Sequence, residues 1–395
     1  MTKSPPRSIL LKLALPIYLP TIILAIGQGM NGVVIPLFAM KLTGSYGAAS
    51  TVFAMMGVGI LLTDVPAGML VSRIGHKAAM ILGMVVVVMA AIVAGFAGSI
   101  LILGAVALFF GAGRGIMMLA RLTYITDATD IVERGRAIAT IGGMMRVGGF
   151  IGPILGGFTA KYYGFEITMI LSGIVTLGAL IFVIIFLSRE KTQSVVHSTN
   201  PFVVAGKIFS THRSTFLTAG SAVVGLQLLR SGRGLLVPLW GISIGLDAAE
   251  IGLISGIPMG LEMTMFYPVG MIMDRIGRKW MAVPCILLLS IGMALIPFCH
   301  SFYPFLFVII LAAIGNGFGS GIVQLLGADF SPEAQRSDFL GVWRLVGDLG
   351  FTAGPFIIGI ITEVFVLSFA CYATAGIGLI GTFIMIFLVE ETRKK

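Results

Sequence analysis

Apolar residues in this chain come in runs of about twenty, set apart by short polar breaks. That is the length an α-helix needs to cross the hydrocarbon core of a bilayer. The pattern predicts an all-α membrane protein with twelve transmembrane helices. Six are expected at about 13–38, 48–71, 77–97, 100–122, 136–160 and 166–187, and six more at 215–241, 249–272, 279–299, 303–327, 337–362 and 366–389. The longest polar segment, Arg189 to Thr215, falls between the two sets. Within it, Asn200-Pro201 followed by Phe202, Val203, Val204, Ile208 and Phe209 predicts a short helix on the membrane surface. Lys207, His212 and Arg213 would face headgroups or water. The expected domains are a six-helix bundle over 1–188, a linker over 189–214 and a second bundle over 215–395.

Composition agrees with this pattern. The chain is 57% hydrophobic and 11% charged, with mean hydropathy +1.04, whereas soluble domains carry about 25% charged residues. A net charge of +9 would suit a polyanion partner if it were clustered, but it alternates. Lys41 and Lys161 fall in one set of loops, and Arg114, Arg146, Arg230, Arg233 and Arg344 lie within apolar runs. The rest of the 26 Lys and Arg, Arg121 included, are counted with the termini and the other set of loops. Such an asymmetry predicts both termini in the cytoplasm and no nucleic acid partner. Cys285, Cys299 and Cys371 sit in or beside apolar runs and are expected as small core residues, without a disulfide framework. No A-x-A-like site follows the first run, so it is expected to be retained.

The chain also repeats. Gly270-Met-Ile-Met-Asp274-Arg275-Ile-Gly277-Arg278-Lys279 has a degraded copy 202 residues earlier, Gly68-Met-Leu-Val-Ser72-Arg73-Ile-Gly75-His76-Lys77. The same offset relates Pro36 to Pro238, Pro66 to Pro268, Asp127 to Asp329, Arg134 to Arg336 and Pro153 to Pro355. Two parallel-related six-helix bundles follow, and such repeats place a binding site near the midplane between the halves.

With these motifs the chain resembles the major facilitator superfamily of secondary transporters over nearly its whole length. The family's loop motif after the second span is complete at 270–279 and is matched at Gly68, Arg73, Gly75 and Lys77 in the first half. The resemblance implies a loop that latches the cytoplasmic ends of the halves in the outward-facing state, helped by an acid at the end of the fourth span, here Asp127. Ser72 and His76 depart from the motif, so the second-half loop is expected to carry more of the latch. Asp64, four residues before Gly68, is expected to join it.

A second motif, Gly148-x3-Gly152-Pro153-x2-Gly156-Gly157, recurs as Gly350-x3-Gly354-Pro355-x3-Gly359. Glycines four apart share one helix face and let backbones approach closely, while the proline frees a carbonyl. In the family this pattern accompanies antiporters, especially drug–proton exporters. Such exporters usually carry an arginine four residues before a Gly-x-Gly in the fourth span. Here Gly111-Ala112-Gly113 is preceded at that position by Ala107, and Arg114 follows it, so the family arginine's proton-relay role does not transfer.

Charges within apolar runs mark a site, because each costs about 2.5–3.5 kcal/mol at the centre of a span. Besides the five arginines there are Asp64, Glu262 and Asp348. By the offset, Gln28 and Asn31 correspond to Arg230 and Arg233, Asn316 to Arg114, and Asp348 to Arg146. A ring of polar groups around the pseudo-axis is expected to form a substrate cavity from Gln28, Asn31, Arg114, Arg146, Gln227, Arg230, Arg233, Asn316 and Arg344. Gln227, Arg230 and Arg233 share one helix face, either as an anion-binding patch or as partners of Glu262 or Asp348. Glu262 is either a proton carrier or fixed to Arg146. Asp348, one turn from Arg344, either pairs with it or carries protons.

The four histidines show no metal-ligand spacing and there is no phosphate-binding loop, so neither a metal, a cofactor nor ATP is expected. No nucleophile–base constellation suggests an enzyme. The expected function is proton-coupled export of a small, possibly anionic organic molecule across a bacterial cytoplasmic membrane, by a monomer. The alternatives are an importer of the same fold, as symporter or uniporter, and a non-transporting receptor or enzyme.

Overall fold

The structure, a computed structural model, describes residues 13–129, 131–187 and 201–392. The expectations for the first twelve residues and for 188–200 lie outside them. Among the described residues the chain is helical throughout, without strands. In the first half we label α1 Leu19–Thr43, α2 Tyr46–Ile74, α3 His76–Ala94, α4 Ile100–Ala128, α5 Ile131–Tyr163 and α6 Phe165–Phe186. In the second we label α7 Ser221–Ser243, α8 Ala248–Ile276, α9 Lys279–Leu295, α10 Phe302–Phe318 with its continuation Ile322–Phe330, α11 Arg336–Val364 and α12 Leu367–Phe387.

Among the described residues ten helices are long and apolar enough to cross a membrane: α1 to α6 and α9 to α12. Helices α7 and α8 have spanning lengths but fall short on apolarity. The residues responsible are those singled out from the sequence: Gln227, Arg230 and Arg233 on α7, and Glu262 on α8. The helices begin and end where local chemistry dictates. Ser45 Oγ accepts from Ala48 N at 3.1 Å, and Asp247 and Glu250 form a reciprocal capping box at the start of α8. The two loop-motif glycines, Gly75 and Gly277, adopt φ of 85° and 121° with ψ of 161° and 163°. Only glycine occupies that region readily, which explains why both copies keep it although the degraded copy has lost its acid. The α10 break falls at Gly321, with φ 77°.

Helices α1, α2, α4 and α5 pack with α3 and α6 in the first half, and α7, α8, α10 and α11 with α9 and α12 in the second. The halves meet chiefly along two helix pairs, α2 with α11 and α5 with α8, with α1 also touching α7. Helices α3, α6, α9 and α12 turn large apolar side chains outward, among them Met89, Ile181, Ile291 and Phe383. Such a surface is insoluble in water and suited to acyl chains.

Between residues 188 and 216 the described part holds a helix, Pro201–Thr211. Ile208 is buried, Phe209 stacks on Phe216 at 5.2 Å and His212 meets Phe339 edge-on at 5.4 Å, while Lys207 and Arg213 are exposed. The linker helix is thus docked on the second half through its apolar face, against α11.

Candidate functional site

The glycine motif sets the approach of the helices around the site. A Cβ at Gly152 or Gly156 would lie 2.8 Å from the α carbon of Gly29 or Met30, so this face of α5 is fitted to α1. One residue on, Gly157 faces α8, where a Cβ would lie 2.8 Å from Gly252 Cα. The second copy repeats the arrangement: Gly350 and Gly354 meet α7, and Gly359 meets Ser50 on α2. One motif therefore closes each bundle internally and also joins it to the other half.

These contacts concentrate at the end away from the chain termini. There Lys161 Nζ lies 2.7 Å from Asp247 Oδ2 and Ser45 Oγ donates to Glu363 Oε1 at 3.1 Å, both across the halves. Partial burial pushes the Asp247 carboxyl up. The Lys161 hydrogen bond and the Glu250 and Ala249 N–H groups outweigh it and hold the group below the usual carboxylate range. Toward the terminal end two polar contacts still cross among the described residues. Arg344 Nη2 pairs with Asp64 Oδ1 at 2.9 Å, and Arg146 Nη2 donates to Ser320 Oγ at 3.1 Å while its guanidinium sits over Phe266 at 4.5 Å.

Between these ends lies a cavity of about 290 Å³. Its polar lining is Gln28 from α1, Arg114 from α4, Arg230 and Arg233 from α7 and Ser255 from α8. Phe53, Met145, Met259 and Val237 contribute apolar walls. Four of the residues expected around the pseudo-axis therefore do line one chamber.

The second-half wall is a closed network. Arg233 Nη1 stands 2.7 Å from Glu262 Oε1, too far out of line for a hydrogen bond and so an ion pair by distance. Asn316 Nδ2 donates to Glu262 Oε2 at 2.6 Å. Arg230 donates to Asn316 Oδ1 at 2.8 Å, to Gln227 Oε1 at 3.1 Å and to the Gly319 carbonyl at 3.0 Å. Of the three arginines that could meet Glu262, the structure places Arg233 against it rather than Arg146 or Arg230. Gln227 and Asn316 serve as second partners of the network and do not line the cavity.

Three further candidates lie elsewhere: Arg146, held by Ser320 and Phe266 toward the terminal end and not lining the cavity, Asn31 and Arg344. Asn31 is 1% exposed and its Oδ1 accepts from Ser172 Oγ at 2.8 Å. Three residues from Gln28, it has rotated toward α6 and is a packing contact rather than cavity lining. Arg344 also lies off the cavity. It pairs with Asp348 at 3.3 Å on its own helix and with Asp64 across the halves.

The loops assigned to the latch pair within their own halves. His76 Nε2 meets Asp127 Oδ2 at 2.9 Å, and Lys77 Nζ donates to the Ile184 and Leu187 carbonyls. Arg278 meets Asp329 at 3.1 Å and Asp274 at 3.6 Å, and Glu391 accepts from the Arg278 and Lys279 N–H groups. Asp274 is 72% exposed, so in this arrangement it contributes little. A Cβ at Gly68 would meet only Leu119, at 3.9 Å, Gly270 has open space beside it, and Arg73 and Arg275 are exposed. Of the residues assigned to the latch, Asp64 is the one that reaches across the halves among the described residues, through Arg344.

One buried base escapes the sequence pattern. Placed at the edge of the fourth run, Arg121 reads as a loop base, yet it is 5% exposed. Its Nη1 donates to Thr21 Oγ1 at 3.2 Å and its Nη2 to Met145 Sδ at 3.4 Å. The available signal is the seven-residue spacing from Arg114, which puts both on one face of α4.

Comparison with known proteins agrees with this architecture. The Major Facilitator Superfamily profile matches residues 17–230 and again 228–395. The chain is 25% identical over 175 residues to the quinolone resistance protein NorA of Staphylococcus aureus, covering 42% of this chain and 44% of that one. It is 30% identical over 146 residues to multidrug resistance protein 2 of Bacillus subtilis, covering 36% and 35%. Both matches thus span less than half of the relative's length. The fold is shared with a bacterial homologue of the human lysosomal transporter Spinster, with TM-score 0.79, 13% identity and 98% of each chain covered. A multi-pass helical protein with two matched repeats and a chamber between them, this chain belongs to the Major Facilitator Superfamily, whose members are membrane transporters and not enzymes.

Proposed function

We propose that the chain is a twelve-span secondary transporter of two six-helix bundles, 1–188 and 215–395, that exports a small organic anion or zwitterion from the cytoplasm in exchange for protons. The observation that carries this reading is the chamber between the halves. It is lined by three arginines and one glutamine, and the halves are packed most tightly at the end away from the termini. With both termini cytoplasmic, as the basic loops predict, the protein is closed to the outside. The names of NorA and multidrug resistance protein 2 favour export. So does physics, because an inside-negative potential drives an anion outward by about 2.3 kcal/mol per charge per 100 mV.

Glu262 is the proposed proton carrier, with Asp348 a second candidate. Glu262 is buried, borders the chamber through Arg233, and can exchange its ion pair for a proton. The transporter works as a monomer in the inner membrane of a bacterium, with Asp64, Asp127 and the 68–77 and 270–279 loops as its cytoplasmic gate.

The test uses everted and right-side-out vesicles with an imposed pH gradient, offered a quinolone zwitterion, benzoate and tetraphenylphosphonium. Export predicts accumulation of the quinolone or benzoate by everted vesicles whose interior is acidic, with discharge of the gradient. Gradient-driven accumulation by right-side-out vesicles would instead establish the importer.

A further inference from the structure

The two walls of the chamber differ in how their cations are satisfied. On the second-half wall each arginine has its charge or its donors met: Arg233 is neutralised by Glu262 as an ion pair, and Arg230 donates to Asn316, Gln227 and the Gly319 carbonyl. On the first-half wall they do not. Arg114 makes no hydrogen bond or ion pair among the described residues, and the carboxylate whose charge it feels, Asp348, is already held by Arg344. Arg121, buried two turns away on the same face, has only a hydroxyl and a thioether. Gln28 Nε2 is buried and donates to nothing.

These groups share one space. A narrow extension of the chamber runs from Gln28 and Arg114 to Thr21 and Arg121, and Ala25 and Met145 line both parts. A guanidinium offers five donors and no acceptor, and an amide nitrogen offers only donors. The extension therefore holds unmet donors and positive charge. A buried donor without a partner costs about 1–3 kcal/mol, more when charged. What relieves it is an acceptor-only group, and the planar fork of arginine matches a carboxylate or phosphate.

We infer that the first-half wall, Arg114 with Gln28 and Arg121 behind it, is the subsite for the cargo's oxyanion, while the Arg230–Asn316–Glu262–Arg233 wall holds no cargo charge. The cargo is thus an organic acid that points its carboxylate or phosphate at α1 and α4 and lays its apolar body against Met145, Met259 and Val237. Arg114 and Arg121 stand about 10 Å apart along the helix, one beside the chamber and one toward the terminal end. The extension toward Arg121 holds only about 10 Å³, so the oxyanion sits at Arg114 and Arg121 backs it with a second positive charge. That the anion is a cargo rests on the transport reading; the chemistry of the subsite does not.

The experiment is equilibrium binding to the full-length protein in nanodiscs at fixed ionic strength, with benzoate, phenyl phosphate and benzylammonium, three probes with one ring and different heads. Benzoate or phenyl phosphate should bind and benzylammonium should not, and which of the two binds tighter assigns the head group. Arg114→Gln and Arg121→Gln should each weaken the anion by about tenfold, through a lost charge-assisted hydrogen bond in the first and a lost positive charge in the second. Arg121→Lys should recover part of that loss, and the exposed Arg213→Gln should change nothing. Equal binding of benzylammonium, no binding of either anion, or unaltered affinity in both glutamine variants would overturn the assignment. If anions bind as predicted but vesicles show no flux, the transport reading fails and the oxyanion subsite stands. If coupled flux occurs without anion binding, transport stands and the subsite fails.

Discussion

Glu262→Gln is expected to abolish proton-coupled flux while leaving the protein folded and still able to exchange cargo across the bilayer. Glutamine keeps the shape of the side chain and an oxygen to accept from Asn316 Nδ2, now at 2.6 Å. It cannot carry a proton and cannot neutralise Arg233, which is 13% exposed. Removing one partner of a buried pair costs about 3–5 kcal/mol, because the remaining charge stays behind. Arg233 borders the chamber, so water and cargo will recover part of that. The double variant Arg233→Gln, Glu262→Gln removes the stranded charge and should unfold at a temperature closer to the wild type than the single variant does, without regaining coupling. The measurement is cargo-induced proton movement in proteoliposomes beside cargo counterflow in the same preparation. Retained proton movement in Glu262→Gln would remove this residue from the mechanism and leave Asp348 to be tested next.

The second large effect is expected at Arg344. One guanidinium holds Asp64 across the halves and Asp348 on its own helix, at 2.9 and 3.3 Å. The Asp64 side chain is 9% exposed and its Oδ2 is buried without a partner. Arg344→Gln would therefore strand two carboxylates, whereas Asp64→Asn removes one charge and leaves the Arg344–Asp348 pair intact. The arginine variant should lose several kcal/mol, of the order of the 3–5 kcal/mol for breaking a buried pair, and the asparagine variant clearly less. Thermal unfolding in one detergent gives the order directly. Adding Asp64→Asn to Arg344→Gln should recover stability, since it removes one stranded charge. If Asp64→Asn proves the more damaging of the two, the shared-arginine description is wrong.

Much of this is readable from the chain, for physical reasons that differ between its parts. Helix positions follow from apolar run length, and the expected spans fall within the observed helices to within a few residues at most ends. The repeat is visible because Gly75 and Gly277 occupy the same glycine-only backbone conformation, which resists substitution even where the neighbouring charges have drifted. That Gln28, Arg114, Arg230 and Arg233 share a chamber follows from the cost of charge in a bilayer, which sends polar side chains to the interior. Pairing is not readable. Whether Glu262 meets Arg233 or Arg146 depends on helix rotation and distances that spacing does not encode. Asn31 carries the same polarity as Gln28 and lies three residues away, yet it turns to Ser172. Arg121 sits at the end of an apolar run, where a loop base and a buried base look alike. The latch loops show a further limit. Their motif marks the family, but the bridge between halves in this arrangement is made by Asp64 and Arg344, ten and eight residues inside their helices.

The central claim is that the halves open alternately at their two ends around one chamber, under the control of protons. The repeat supplies matched probes for it. Leu101 and Tyr303 are equivalent positions at the end away from the termini, 81% and 71% exposed, and Ile74 and Ile276 are equivalent positions at the terminal end, 44% and 57% exposed. Each pair can be spin-labelled after substitution by cysteine, since Cys285, Cys299 and Cys371 are buried. Pulsed electron-spin distances in nanodiscs at pH 8 and pH 5.5 should show both pairs redistributing in opposite directions, one shortening as the other lengthens. Glu262→Gln should remove the pH response. Distances that stay unimodal and unchanged across that range, or that lengthen together, would contradict the account.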